Sequence, residues 1–191
     1  MVPTLVHDEA VIIDSSVIME YLEELFPEPS MGMADAVNCA HMRKWPRYFE
    51  EVPTPAIRVP SFNLHLVKHY ANWTAADYAV MADSHPIRKH FYHRLGKEQF
   101  SAQETDEAMD RLDQTPARME QALADGRPWL MGDRLTLADA CIMPTIDHLR
   151  DLGFEGMWAE TRPAVTGWYA RYADRDAFKA IYYNGSRLSD G

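Results

Sequence analysis

The run Ile13-Asp14-Ser15-Ser16 stands where a short apolar stretch gives way to a helical pattern. The first amides of a helix have no intrahelical partner, and with a hydroxyl among them they can receive a carboxylate or a phosphate. Asp14 would instead suit an ammonium group. Either Asp14 or Ser15 is also an ordinary N-cap, and residue type alone makes capping the simpler account. Val2-Pro3 leads the preceding strand. A proline there donates nothing to a neighbouring strand, which suits an edge or an entry point. Taken by itself the bond reads as trans, because cis X-Pro is only ~5–6% of folded cases.

His65 with His69 and His90 with His93 are spaced to share helix faces, and either pair could hold a metal if carboxylates or cysteines joined it. Neither carries the glutamate of an HExxH helix, so both read as solvated faces and no metal is expected. No GxGxxG, P-loop or GxSxG occurs, so dinucleotide, nucleotide and serine-hydrolase chemistry have no motif here. Cys39 and Cys141 belong to no CxxC, and both are expected as free thiols, Cys141 as a core residue.

The elements that must position these residues begin with a hairpin. Thr4-Leu5-Val6-His7, a polar Asp8-Glu9 turn and Ala10-Val11-Ile12-Ile13 predict two strands. From Ser15, the apolar residues Val17, Ile18, Tyr21, Leu22 and Leu25 recur at helical spacing until Pro27 and Pro29 forbid continuation. Beyond residue 29 the pattern is helix and loop. Ala36 to Glu51 brings Val37, Met42, Trp45 and Phe49 near one face, with Pro46 expected to kink or split the helix. Pro53, Pro55 and Pro60 predict an irregular stretch. A helix over 105–124 buries Ala108, Leu112, Met119 and Leu123, with Glu107 and Arg111 as an outward ion pair, bent at Pro116 and stopped by Gly126. Thr136-Leu137-Ala138-Asp139 is a capping box with Asp in the usual Glu place. It opens an apolar helix through Cys141, Ile142, Ile146 and Leu149. Arg162-Pro163 opens another, with Val165, Trp168, Tyr169 and Tyr172 on it.

At 191 residues the chain is one large domain, or one domain plus a fragment, against a prior of roughly 150 residues per domain. Hydrophobic residues make up 47% and charged residues 25%, an ordinary globular balance able to bury a core. With 19 Lys and Arg against 29 Asp and Glu the net charge is -10, so a phosphate backbone is repelled and nucleic acid is not an expected partner. No apolar run reaches the ~18 residues of a membrane span, and Asp8 and Glu9 interrupt any signal peptide. A soluble, cytoplasmic protein with no membrane partner is the expectation.

With the hairpin, the Asp-Ser junction and the capping box in hand, the chain resembles a cytosolic glutathione S-transferase that has lost its beginning. Val2-Pro3-Thr4-Leu5 through Tyr21-Leu22 resembles the second half of that family's thioredoxin-like domain. Thr136 to Asp139 resembles the capping box of its all-helical domain, and Arg162-Pro163 to Trp168 with Arg175 to Lys179 resembles its last helices. Thr74 to Tyr78 and Pro86 to Phe100 resemble the bacterial lignin β-etherase and fungal-type subgroup.

The resemblance implies a mainly α fold: a helical bundle over residues 30–191, preceded by a partial thioredoxin-like ββα remnant over 1–29 that lacks its first strand, helix and second strand. It implies glutathione as co-substrate. In the family the proline matching Pro3 is cis and turns the backbone of the residue matching Val2 toward glutathione. Residues matching Asp14 and Ser15 hold its γ-glutamyl end, so Val2, Pro3, Asp14 and Ser15 become the expected glutathione site. The family's catalytic Ser, Tyr or Cys stands upstream of the Val-Pro pair, so no catalytic residue is expected in this chain, and activity is expected to be reduced or absent. A hydrophobic, aromatic electrophile is the implied second substrate. His41, Met42, Trp45, Tyr48 and Phe49 are candidates for its pocket, with plain helix packing as the equal alternative. The chain is expected to form a homodimer, and its ββα remnant to dock on the bundle through Val17, Tyr21 and Leu25, or to pair across that dimer. A non-catalytic binding or scaffolding module and a glutathione-dependent β-aryl etherase are the alternative functions.

Overall fold

A computed structural model describes residues 3–85, 89–95 and 98–190. Strands β1 (Thr4–His7) and β2 (Ala10–Ile13) form an antiparallel hairpin, closed by the Asp8-Glu9 turn with Asp8 at φ 53. Thr4 faces Ile13 and Val6 faces Val11, and on that side Val6, Val11 and Ile13 are exposed. The opposite side meets helix α1 (Ser15–Leu25), where His7 Nδ1 hydrogen-bonds the Tyr21 hydroxyl.

The remainder is helical: α2 (Ala36–Glu51), α3 (Pro53–Ser61), a π turn and a 3₁₀ turn over 62–70, α4 (Ala75–Asp83), α5 (Lys89–Arg94), α6 (Ala102–Ala122), α7 (Leu137–Asp151), α8 (Pro163–Ala173) and α9 (Asp176–Ile181). Helix α3 packs on α6, α2 on α7, and α6 on α8. Leu112, Met119, Ile142, Ile146, Leu149, Val165 and Trp168 meet in the core these helices enclose. A smaller cluster of Phe62, Tyr78, Leu95 and Phe100 forms beside it. Among the described residues no helix is long and apolar enough to cross a membrane, and no three His, Cys, Asp or Glu side chains converge as a metal site.

Several sequence expectations are corrected. Helix α2 is not split at Pro46, and Pro53, Pro55 and Pro60 lie within helix α3. Prolines in the first turn forfeit only amides that would be unpaired, so Pro53 and Pro55 suit a helix start. Val37 is exposed, apart from the buried Met42 and Trp45. Helix α6 starts earlier than expected because Ser101 and Glu104 form a capping box, and Glu107 accepts from Gln103 rather than pairing with Arg111.

The docking of α1 also differs. Val17 and Leu25 point to solvent and Tyr21 turns to His7. The face toward the bundle is Ser16, Met19, Glu20 and Glu23, one helical stripe of i, i+3, i+4 and i+7. Ser16 reaches Glu50, Met19 packs on the core, Glu20 lies 3.8 Å from both Arg43 and Arg47, and Glu23 receives the amides of Met31 and Gly32. Polar groups can be buried when each finds a partner: α2 and the 30–32 linker give Ser16 and Glu23 hydrogen bonds, while the buried Glu20 Oε1 faces the two arginines without a hydrogen bond.

Glu104 provides a test of this local chemistry. The Ser101 amide and the Arg94 guanidinium draw its carboxyl down to about 2 from the usual 4.5. A depressed folded value means that its contribution to stability is complete above pH 4.5 and is lost as the pH falls through about 2. The Glu104 carboxyl resonance should therefore titrate near pH 2, and Arg94→Ala should move the midpoint upward while the Ser101 bond keeps it below 4.5. A midpoint at the ordinary glutamate value in the parent would contradict the geometry.

Candidate functional site

Asp14 sits between β2 and α1 at φ 78, ψ 126, a left-handed conformation that costs a non-glycine residue of order 1–3 kcal/mol unless its surroundings fix it. Its Oδ1 accepts the Ser16 amide at 2.9 Å, the Val17 amide at 3.3 Å and the Ser16 hydroxyl at 2.7 Å. Burial pushes the Asp14 carboxyl up. The Ser16 hydroxyl, the two amides and the Glu50 side chain outweigh it and hold the group below the usual aspartate value. Asp14 is thus both an N-cap and a carboxylate kept charged. Ser15, the first residue of α1, is exposed, and neither its amide nor its hydroxyl bonds to another described residue.

The cap uses two amides, Ser16 and Val17, so Ser15 alone offers a free amide and hydroxyl at this helix start. The arrangement pairs one negative side chain with one anion-receiving corner a single residue away. Chemically it fits a zwitterion, an α-amino acid end whose ammonium meets Asp14 and whose carboxylate meets Ser15. Pro3 precedes β1 at the surface. Val2 lies outside the described residues, and the Val2-Pro3 peptide with it.

The five candidates for an electrophile pocket separate. His41 and Trp45 line a cavity of about 620 Å³ between α2 and α6, together with Lys44, Arg118 and Arg127. Met42 is buried and Phe49 packs against the core. Tyr48 hydrogen-bonds Thr115 at 3.1 Å and lies under the Arg118 guanidinium, 4.6 Å from the ring centre.

The chain matches the Glutathione S-transferase, C-terminal domain family over residues 72–176, more than half its length. It belongs to the glutathione S-transferase family. The Glutathione S-transferase, N-terminal domain family matches residues 1–30, the ββα unit that carries Asp14 and Ser15. Protein LigF of Sphingobium sp. (strain NBRC 103272 / SYK-6) is 27% identical over 193 residues, covering 97% of this chain and 75% of LigF. The crystal structure of beta-etherase LigF superposes with a TM-score of 0.81 at 26% identity, over 94% of this chain and 76% of that one. Glutathione S-transferase TCHQD of Arabidopsis thaliana is 24% identical, over 93% of this chain and 70% of its own. Glutathione is the co-substrate of this transferase family. The partial thioredoxin-like unit and the helical bundle of the family are both present in this transferase fold.

Sequence reading missed the polar residues behind this corner. Ser16 is buried, and its hydroxyl lies 2.5 Å from Glu50 Oε1 on α2. No local signal links two residues 34 apart. It also missed Ser61, 2.8 Å from His148 Nε2, with Asp151 3.7 Å from the other ring nitrogen. That order of groups imitates a nucleophile, base and acid. However, Ser61 is buried and its hydroxyl hydrogen goes to the Ile57 carbonyl at 2.6 Å, so the group ties α3 to α7.

Proposed function

We propose that this chain is a glutathione S-transferase that joins the sulfur of glutathione to an aromatic electrophile, holding the γ-glutamyl end at Asp14 and Ser15 and the cysteinyl backbone beside Val2 and Pro3. The observation that carries the reading is the charged Asp14 carboxylate beside the unpartnered amide and hydroxyl of Ser15. In this role Asp14 pairs with the ammonium, the Ser15 groups receive the carboxylate, and the tripeptide is oriented with its thiol away from α1. The thiolate is the reacting form, and a free thiol near ~8.5 is a few per cent ionised at pH 7.

The similarity to beta-etherase LigF over nearly the whole chain favours a narrower version, in which the electrophile is a β-aryl ether. There the thiolate sulfur forms a C–S bond at the carbon bearing the aryloxy group, the C–O bond breaks, and the electron pair leaves on the phenolate. Of the five α2 candidates, His41 and Trp45, which line the cavity beside α6, are the proposed neighbours of that aromatic substrate, whereas Met42 and Phe49 pack in the bundle core. A cytoplasmic homodimer belongs to the same reading and would cover the exposed Val6, Val11, Ile13 and Val17.

Isothermal calorimetry of the purified chain with glutathione tests the site. Weak binding in the millimolar range, about −4 kcal/mol, is expected, together with a loss of about tenfold in Asp14→Asn. Equal affinity in that variant, or no heat in the parent at several millimolar glutathione, removes the reading.

A further inference from the structure

The ββα unit and α2 are joined by a chain of three polar side chains. The Ser16 hydroxyl lies 2.7 Å from Asp14 Oδ1 and 2.5 Å from Glu50 Oε1, so the two carboxylates share the one hydrogen it can donate. Arg47, on the same face of α2, approaches Ser16 Oγ at 3.5 Å. Glu20, one turn along α1, faces Arg47 and Arg43. The bridge is therefore the end of a polar seam, and Ser16 within it is buried. Asp14 at φ 78 persists only if something over-determines it. Its own cap bonds are local to α1. Among the described residues, Glu50 and Arg47 on α2 reach this cap from outside the ββα unit through Ser16, and Glu50 makes the shorter contact.

We infer that Glu50 is a positioning residue for the glutathione site: from the helical bundle it holds Ser16, which in turn holds Asp14 in the left-handed conformation that presents its carboxylate to the γ-glutamyl ammonium. The inference rests on the proposed glutathione site and assigns to it a residue on α2. The consequence is that affinity for the amino end of the tripeptide is set partly by a residue that never touches it. Losing Glu50 removes the tie from Ser16 to α2, so the start of α1, and the Asp14 carboxylate that caps the Ser16 amide, are no longer held against the bundle and the ammonium loses a fixed partner. A glutamine at 50 keeps an acceptor oxygen in the same place and should keep Ser16 where it is. Side-chain length alone does not serve: an alanine leaves the buried hydroxyl facing only Asp14 and Arg47.

The test measures dissociation constants for glutathione and for cysteinylglycine, which lacks the γ-glutamyl group, in the parent, Glu50→Ala and Glu50→Gln. Melting temperatures and amide hydrogen exchange are measured alongside. Glu50→Ala is expected to weaken glutathione about tenfold and leave cysteinylglycine unchanged, whereas Glu50→Gln stays within about threefold of the parent. A general structural role would lower the melting temperature and weaken both ligands together, and that outcome overturns the inference. If the parent binds no glutathione, the proposed site itself fails. Exchange at the Ser16 and Val17 amides then decides the role of Glu50: selective acceleration in Glu50→Ala supports the anchor, and unchanged exchange rejects it.

Discussion

Asp139→Ala is expected to lower the melting temperature by roughly 10–15 °C, the largest single-residue effect in the bundle. Asp139 is fully buried and gathers four donors: the Thr136 amide at 2.9 Å, the Thr136 hydroxyl at 3.0 Å, the Leu130 amide at 2.9 Å and Trp168 Nε1 at 2.8 Å. One carboxylate thus starts α7, fixes the turn before it and holds α8. Alanine leaves buried donors from three segments without an acceptor, each costing about 1–3 kcal/mol, and the sum with local relaxation is about 4 kcal/mol. Burial pushes the Asp139 carboxyl above its usual value even with those four bonds in place, so ionising it in the fold has a cost. Asparagine removes that cost but supplies one acceptor oxygen for four donors, so Asp139→Asn should fall between alanine and the parent. Urea unfolding with near-ultraviolet dichroism of Trp168 measures both. A fall of only two or three degrees in Asp139→Ala would show that the junction is held by apolar packing instead.

Glu23→Ala is the second large effect, and it is expected to be local. Glu23 accepts the Ser30 hydroxyl at 2.7 Å, the Met31 amide at 2.9 Å and the Gly32 amide at 2.8 Å. From the other side, Arg134 donates to the Ser30 and Gly32 carbonyls. A carboxylate and a guanidinium thus clamp opposite polar edges of the same three-residue linker, and a Cβ at Gly32 would lie 2.9 Å from Glu23 Oε1, so a side chain there would push the carboxylate off its bonds. Burial pushes Glu23 upward, but the Met31 amide, the Ser30 hydroxyl, the Gly32 amide and Arg134 outweigh it and hold the carboxyl below the usual 4.5. The sign follows: the clamp is at full strength above pH 4.5 and is lost as the pH falls through the lower folded value. Removing Glu23 should cost about 2–3 kcal/mol, concentrated in the hairpin and α1. Hydrogen exchange should accelerate across residues 4–25 while α6 to α8 keep their protection. Uniform acceleration through α7 and α8 would sink the idea of a local clamp.

How much of this was readable without coordinates follows the reach of each interaction. Thr136 with Asp139 is an i, i+3 pair whose residue types announce a helix start, whereas the same kind of pair, Ser101 with Glu104, went unread and the start of α6 was placed too late. The hairpin was equally plain, because four alternating residues on each side of Asp8-Glu9 leave one simple register. The prolines of α2 and α3 misled because their local cost is visible in the sequence while the packing that offsets it is not. Helix α1 misled in the opposite way. Its apolar stripe suggested the docking face, but the side turned to the bundle is the polar one, since Arg43, Arg47, Glu50 and the 30–32 linker supply partners that no spacing rule within α1 could reveal. The Asp14–Ser15 corner was legible as a helix start. Its anchor at Glu50 was not.

The amino-acid sequence by itself determined where α1, α7 and α8 begin, which residues make the hairpin, and that a carboxylate would stand beside a helix N-terminus, because each depends on contacts within a few residues of chain. Only the tertiary structure decided which face of α1 is buried, which donors converge on Asp139, and which residue of α2 stands behind Asp14. Those outcomes depend on partners tens of residues away, where many pairings satisfy the local rules equally and packing selects one.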